Sequence, residues 1–117
     1  MKMTLLTLNK PNLNNRIYPK AVIEKAILKY KDNDRCIVES EPNITCSANL
    51  GNAIGKVTNM KIENDLLVGD VSFLFSGFEN FSVRPNGYGT LQLLENGVQI
   101  IGDDYHLTSF SITNDPA

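Results

Sequence analysis

One histidine, His106, and two cysteines, Cys36 and Cys46, are the only imidazole and thiol groups among these 117 residues. A structural zinc site needs about four such ligands in close clusters, so no metal is expected. The cysteines stand apart from the histidine and lack a secretory setting, so they read as two unrelated buried thiols. No apolar run approaches the roughly 20 residues of a membrane helix. The first eight residues alternate and break at Asn9-Lys10-Pro11, without the apolar stretch of a signal peptide. A Gly-x-Ser-x-Gly elbow and a phosphate-binding glycine loop are also missing. Asp32-Asn33-Asp34 and Asp103-Asp104 carry oxygen ligands but not the glycine and distal glutamate of a calcium loop. Both read as solvated turns. The expectation is one soluble, cytosolic domain, residues 1–117, with no cofactor and no membrane contact.

What is present is ordinary for a folded domain: 42% hydrophobic and 21% charged residues, which argues against disorder. The charge is unevenly placed. Residues 1–61 hold ten Lys and Arg against five Asp and Glu, whereas residues 62–117 hold only Arg84 against eight acids. In a folded domain the halves can complement each other, or they can form two poles suited to a charged partner or to self-association. Nucleic acid is not expected, because the basic residues do not interleave with aromatics and the pI is near 5.3.

The fourteen asparagines fall mostly between periodic segments, as turn residues should. Residues 2–8 alternate as a strand, and a polar loop follows at 9–15. Pro19 opens the one helix, about 19–30, because a first-turn proline lacks an N–H that would be unpaired there anyway. Ile23, Ile27 and Tyr30, with Val22 and Ala26 beside them, form its apolar stripe. Strands are expected at 36–38, 53–62, 66–75, 81–84, 90–94, 98–101 and 105–113. Glu63-Asn64-Asp65 is a hairpin loop, Pro85-Asn86-Gly87 a turn, and Asn96-Gly97 a hairpin tip with the positive φ angles of a tight turn. The fold class is α+β, mostly β: a small β-barrel or packed antiparallel sheets with one main helix. His106, inside an alternating strand, reads as structural.

Asn14-Asn15-Arg16-Ile17-Tyr18-Pro19-Lys20-Ala21 resembles the N-terminal block of the tailed-phage prohead serine proteases, where N-x-N-x-R-x-Y-P leads into a helix. Gly69-Asp70-Val71 is similar to the second strand of their central hairpin. Phe81-Ser82-Val83-Arg84-Pro85-Asn86-Gly87-Tyr88-Gly89 resembles their nucleophile block, and Tyr105-His106-Leu107-Thr108-Ser109-Phe110-Ser111-Ile112-Thr113-Asn114-Asp115-Pro116-Ala117 their closing strand. The resemblance implies the barrel of the herpesvirus assembly protease. By position, Ser82 corresponds to the nucleophile, and Arg84 and Gly87 to the oxyanion segment.

Two parts of that family's pattern differ here. Where its histidine sits in a G-E-x-x-H-P-like loop, this chain has Val38-Glu39-Ser40-Glu41-Pro42, with Glu41 at the base position. A carboxylate near its ordinary value of about 4.3 is a weak base for a serine hydroxyl. Only Ser76-Gly77-Phe78-Glu79-Asn80 stands where the family has a helix before the nucleophile. The resemblance therefore implies a degenerate, non-catalytic member: a head component that contacts the major capsid or scaffold protein, located in the prohead or virion and in the host cytoplasm during assembly. The alternative is an active protease with Ser82 as nucleophile and His106 or Glu41 as a non-standard base. Contact candidates are the loops 9–15 and 39–49 and the Asn-Gly tip.

Overall fold

The computed structural model describes residues 1–12, 15–30, 37–41, 48–78 and 80–113, and only the backbone of Lys29 and Tyr30. Among the described residues, nine strands and one α-helix follow in chain order. Strand β1 is Lys2–Thr7, β2 Arg16–Ile17, helix α1 Lys20–Tyr30, β3 Ile37–Glu39 and β4 Ala53–Glu63. Then come β5 Leu66–Phe73, β6 Ser82–Tyr88, β7 Leu91–Leu93, β8 Gln99–Ile101 and β9 His106–Thr113. A short 3₁₀ turn, Leu50–Asn52, leads into β4. Cys36, Cys46 and Asp32-Asn33-Asp34 lie outside the described residues.

Six strands form one sheet in the order β1-β5-β4-β3-β9-β6, and three form a second, β2-β8-β7. The large sheet curls until its two ends, β1 and β6, come into contact, giving a half-barrel. Its pairs are antiparallel except β3 with β9, and β2 with β8 is also parallel. Both sheets are therefore mixed, within the expected mostly β architecture with one main helix. Parallel neighbours need a long connection between them, and β3 and β9 are joined through all the strands between.

The mostly β architecture follows from alternation. Val83 and Phe110 are buried on one face of the sheet, with Val38, Val57, Val71 and Leu5 in the same apolar cluster. Phe110 is fully buried. Helix α1 lays Val22, Ile23 and Ala26 into this cluster and packs across β4 and β9. Its start is tied to the first loop, because the Lys20 N–H donates to Asn9 Oδ1 at 2.9 Å. Tyr18 stands just before the helix, edge-on to Tyr105 with ring centres 5.8 Å apart.

Two turn expectations change. Pro85-Asn86-Gly87 is not a turn but the middle of β6, with Pro85 opposite Phe110 and Asn86 opposite Ser109. β6 is an edge strand, hydrogen-bonded only to β9 among the described strands, and an edge tolerates a residue with no N–H. A bulge between Asn86 and Gly87 absorbs the irregularity. At the other site Gly97 has φ +86 and Asn96 does not have a positive φ. The Gly97 N–H donates to the Leu94 carbonyl, and the Leu94 N–H to Val98. This is a turn closed by one left-handed glycine rather than a two-residue tip. The loop between β4 and β5 is shorter than expected, just Asn64 and Asp65, with Asn64 left-handed.

Candidate functional site on the polar face of β6 and β9

Paired residues of adjacent strands point to the same face of a sheet. Ser82 lies opposite Thr113, Arg84 opposite Ser111 and Asn86 opposite Ser109. β3 adds Glu39 beside Ser111 in the parallel register. One face of β9 and β6 therefore carries Ser82, Arg84, Asn86, Ser109, Ser111 and Thr113, joined by Glu39 of β3, while Val83, Pro85, Phe110 and Ile112 take the other.

Most of that polar face is buried and bonded. Glu39, Asn86, Thr108, Ser109 and Ser111 are all buried. The Ser111 hydroxyl donates to Asn86 Oδ1 at 3.2 Å, and Asn86 Nδ2 donates to Ser109 Oγ at 3.1 Å. Ser109 in turn donates to Glu39 Oε2. The Asn49 N–H donates to Glu39 Oε1 at 3.2 Å, and Thr108 Oγ1 to the Asn86 carbonyl at 2.9 Å. The donors run one way, from β9 through β6 and back to β9, and end on a carboxyl group of β3. Such a chain polarises its members and satisfies groups that would be costly to bury alone.

Ser82 lies at the end of this face, half-buried, at the first position of β6. A row of aromatic rings leads to it: Phe73 to Phe78 at 5.7 Å and Phe78 to Phe81 at 6.3 Å. The Phe81 N–H closes a turn on the Phe78 carbonyl. Arg84, two positions on, is half-buried and makes no ion pair with a described residue.

The two residues named as bases are not beside Ser82. His106 is opposite Tyr88, at the other end of the β6–β9 ladder. At ~3.3 Å per residue that separates it from Ser82 by about 20 Å. It is exposed, and its ring lies against Tyr88 with centres 5.2 Å apart. Glu41 is exposed and lies beyond the end of β3. Among the described residues, no hydrogen bond reaches the Ser82 hydroxyl. Gly87 is five positions along β6 from Ser82, so Arg84 and Gly87 do not meet at one point near it. A Cβ on Gly87 would stand 2.3 Å from Tyr105 Oη, which makes it a close-packing glycine.

The buried chain was not visible in the sequence. Asn86 sits inside a Pro-Asn-Gly string with a turn signature, and Glu39 inside a polar stretch. The one signal was the spacing of Ser109 and Ser111, which places both on one face of a strand.

Titration shifts occur away from this face. Lys2, and then Lys61, hold the Glu63 carboxyl below the usual range, through ammonium contacts of 2.8 and 3.0 Å. Both pairs join the basic half of the chain to the acidic half, so the charges complement each other here. The Asp104 carboxyl is also held low, by the N–H and then the hydroxyl of Thr90 at 2.9 and 2.8 Å. Asp103-Asp104 is thus a bonded turn. No group of three metal-ligating side chains occurs among the described residues.

The geometry can be compared with known proteins. A solved structure, "Structure of the bacteriophage T4 capsid assembly protease, gp21", matches with TM-score 0.85 and 18% identity. The match covers 96% of this chain and 79% of that one. The fold is prohead-protease-like. No family model matches the sequence, and no curated protein matches it. Among the described residues, no helix is long and apolar enough to cross a membrane.

Proposed function

We propose that this chain is a non-catalytic component of a tailed-phage head. It acts through contacts with the major capsid or scaffold protein, as an auxiliary capsid, decoration or scaffold-associated protein. The likeness to a capsid assembly protease supports the setting. One observation carries the non-catalytic part: no base is within reach of the Ser82 hydroxyl among the described residues. A serine nucleophile needs a proton acceptor at about 2.6–3.2 Å. His106 is at the far end of the ladder, Glu41 is in solvent, and Glu39 is occupied by Ser109 and the Asn49 N–H.

The second reading is an active prohead serine protease that processes capsid and scaffold proteins. It has one favourable observation: Ser82 and Arg84 share the partly open end of the polar face, with Arg84 in no ion pair with a described residue. A fluorophosphonate probe, with Ser82→Ala as control, separates the two. Labelling confined to Ser82, or Ser82-dependent cleavage of the phage's own capsid and scaffold chains, would sink the structural reading. Mass spectrometry of proheads and virions tests the location, and absence from both would exclude a head component.

A further inference from the structure

β7 is the outermost strand of the small sheet, and its open side has no strand partner among the described residues. The hydrogen bonds show which groups face outward. The Leu94 N–H donates to Val98 and the Gly102 N–H to the Thr90 carbonyl, so residues 90, 92 and 94 turn their polar groups to β8. Alternation then leaves the N–H and C=O of Leu91 and Leu93 pointing out. The two residues are 44% and 68% exposed. The edge is short, three residues, but has no lysine, proline or bulge within Leu91-Gln92-Leu93.

Next to it runs a groove of about 390 Å³ between the start of α1 and the small sheet, lined by Pro19, Val22, Leu91, Ile100, Ile101 and Asp103. Asp103 lines it, and Lys20 stands between two other lining residues, Pro19 and Ala21. Glu95, Asp103 and Asp104 are not in an ion pair with any described residue, and no Lys or Arg follows Arg84. Arg16 is on β2, on the opposite side of β8 from β7, and bonds Gln99.

We infer that the β7 edge and this groove accept an extended segment of a partner protein in which apolar residues alternate with Lys or Arg. The backbone would pair with Leu91 and Leu93 as an added strand, one apolar side chain would enter the groove, and the basic residues would meet Glu95 and Asp103. A second copy of this chain is a poor occupant, because edge-to-edge pairing would bring two acidic clusters together. The inference goes beyond the head-component reading and stands without it.

The test uses the full chain and a short synthetic peptide alternating Lys and Thr with Val, against its Glu-for-Lys counterpart. Amide exchange by NMR should slow at Leu91 and Leu93 with the Lys peptide. The Glu peptide should bind at least about tenfold more weakly. Leu93→Pro removes an outward N–H while leaving the β8 ladder, so binding should be lost with the Leu94 amide still protected. Glu95→Gln with Asp103→Asn should weaken the Lys peptide about tenfold without disturbing the ladder, and this pair carries the test if Leu93→Pro does not fold. Equal binding of the two peptides, or no protection at Leu91 and Leu93 with either, would overturn the proposal. So would concentration-dependent self-association abolished by Leu93→Pro, which would make the occupant a second copy.

Discussion

Ser109 of β9 donates its hydroxyl proton to Glu39 of β3, both fully buried, across the parallel pairing of the half-barrel. Asn86 of β6 donates to the same hydroxyl. The three strands that form the polar face are thus linked by side chains as well as by the ladder. The Glu39 carboxyl group also accepts from the Asn49 N–H, so both of its oxygens are engaged.

Glu39→Ala should destabilise the fold by about 2–4 kcal/mol, because it strands buried donors and opens a cavity. Glu39→Gln, which keeps an acceptor in place, should cost less. Urea unfolding measures both. A double-mutant cycle of Glu39→Gln with Ser109→Ala should return a coupling of about 1 kcal/mol or more, and strict additivity would show that the contact contributes nothing.

Gly87→Ala should cost about 1–3 kcal/mol, since the new methyl overlaps the Tyr105 ring and that ring is held against Tyr18. A Gly87→Ala variant that melts with the parent would mean the ring has room to move.

Asp104 yields a pH prediction with a definite sign. Its folded value is depressed by Thr90. Stability from these bonds is therefore complete above the unfolded carboxyl range of about 4, and is lost as pH falls through the lower folded value. Thr90→Val removes the hydroxyl donor, so the Asp104 carboxyl should titrate at a higher pH. NMR titration of the side chain reports the shift, and no movement would show that the backbone N–H acts alone.

Phe78 stands between Phe73 and Phe81 just ahead of Ser82. Phe78→Ala should cost about 2–3 kcal/mol and loosen the start of β6. Faster amide exchange at Ser82 and Val83, with Phe110 unchanged, is the expected pattern. Uniform acceleration across β9 would instead point to global unfolding.

The helix and most strands could be read locally. The expected helix at about 19–30 is Lys20–Tyr30, and the hairpin of β4 and β5 lies within a few residues of its expected limits. Apolar spacing and turn chemistry act over a few residues, so a sequence displays them directly. Pro85-Asn86-Gly87 failed for a physical reason: its turn signature is overridden by pairing with β9, a neighbour more than twenty positions away.

The sequence by itself determined a mostly β chain with one amphipathic helix, a strand bearing Ser109 and Ser111 on one face, and a lone histidine. It also placed Ser82 and Arg84 in a protease-like block. Only the tertiary structure decided that β3 lies parallel to β9, that Glu39 is drawn inside by Ser109, and that His106 and Ser82 end up at opposite ends of one ladder. Those relations depend on long-range register, which no local periodicity encodes, because pairing distant strands is settled by the burial of the whole core.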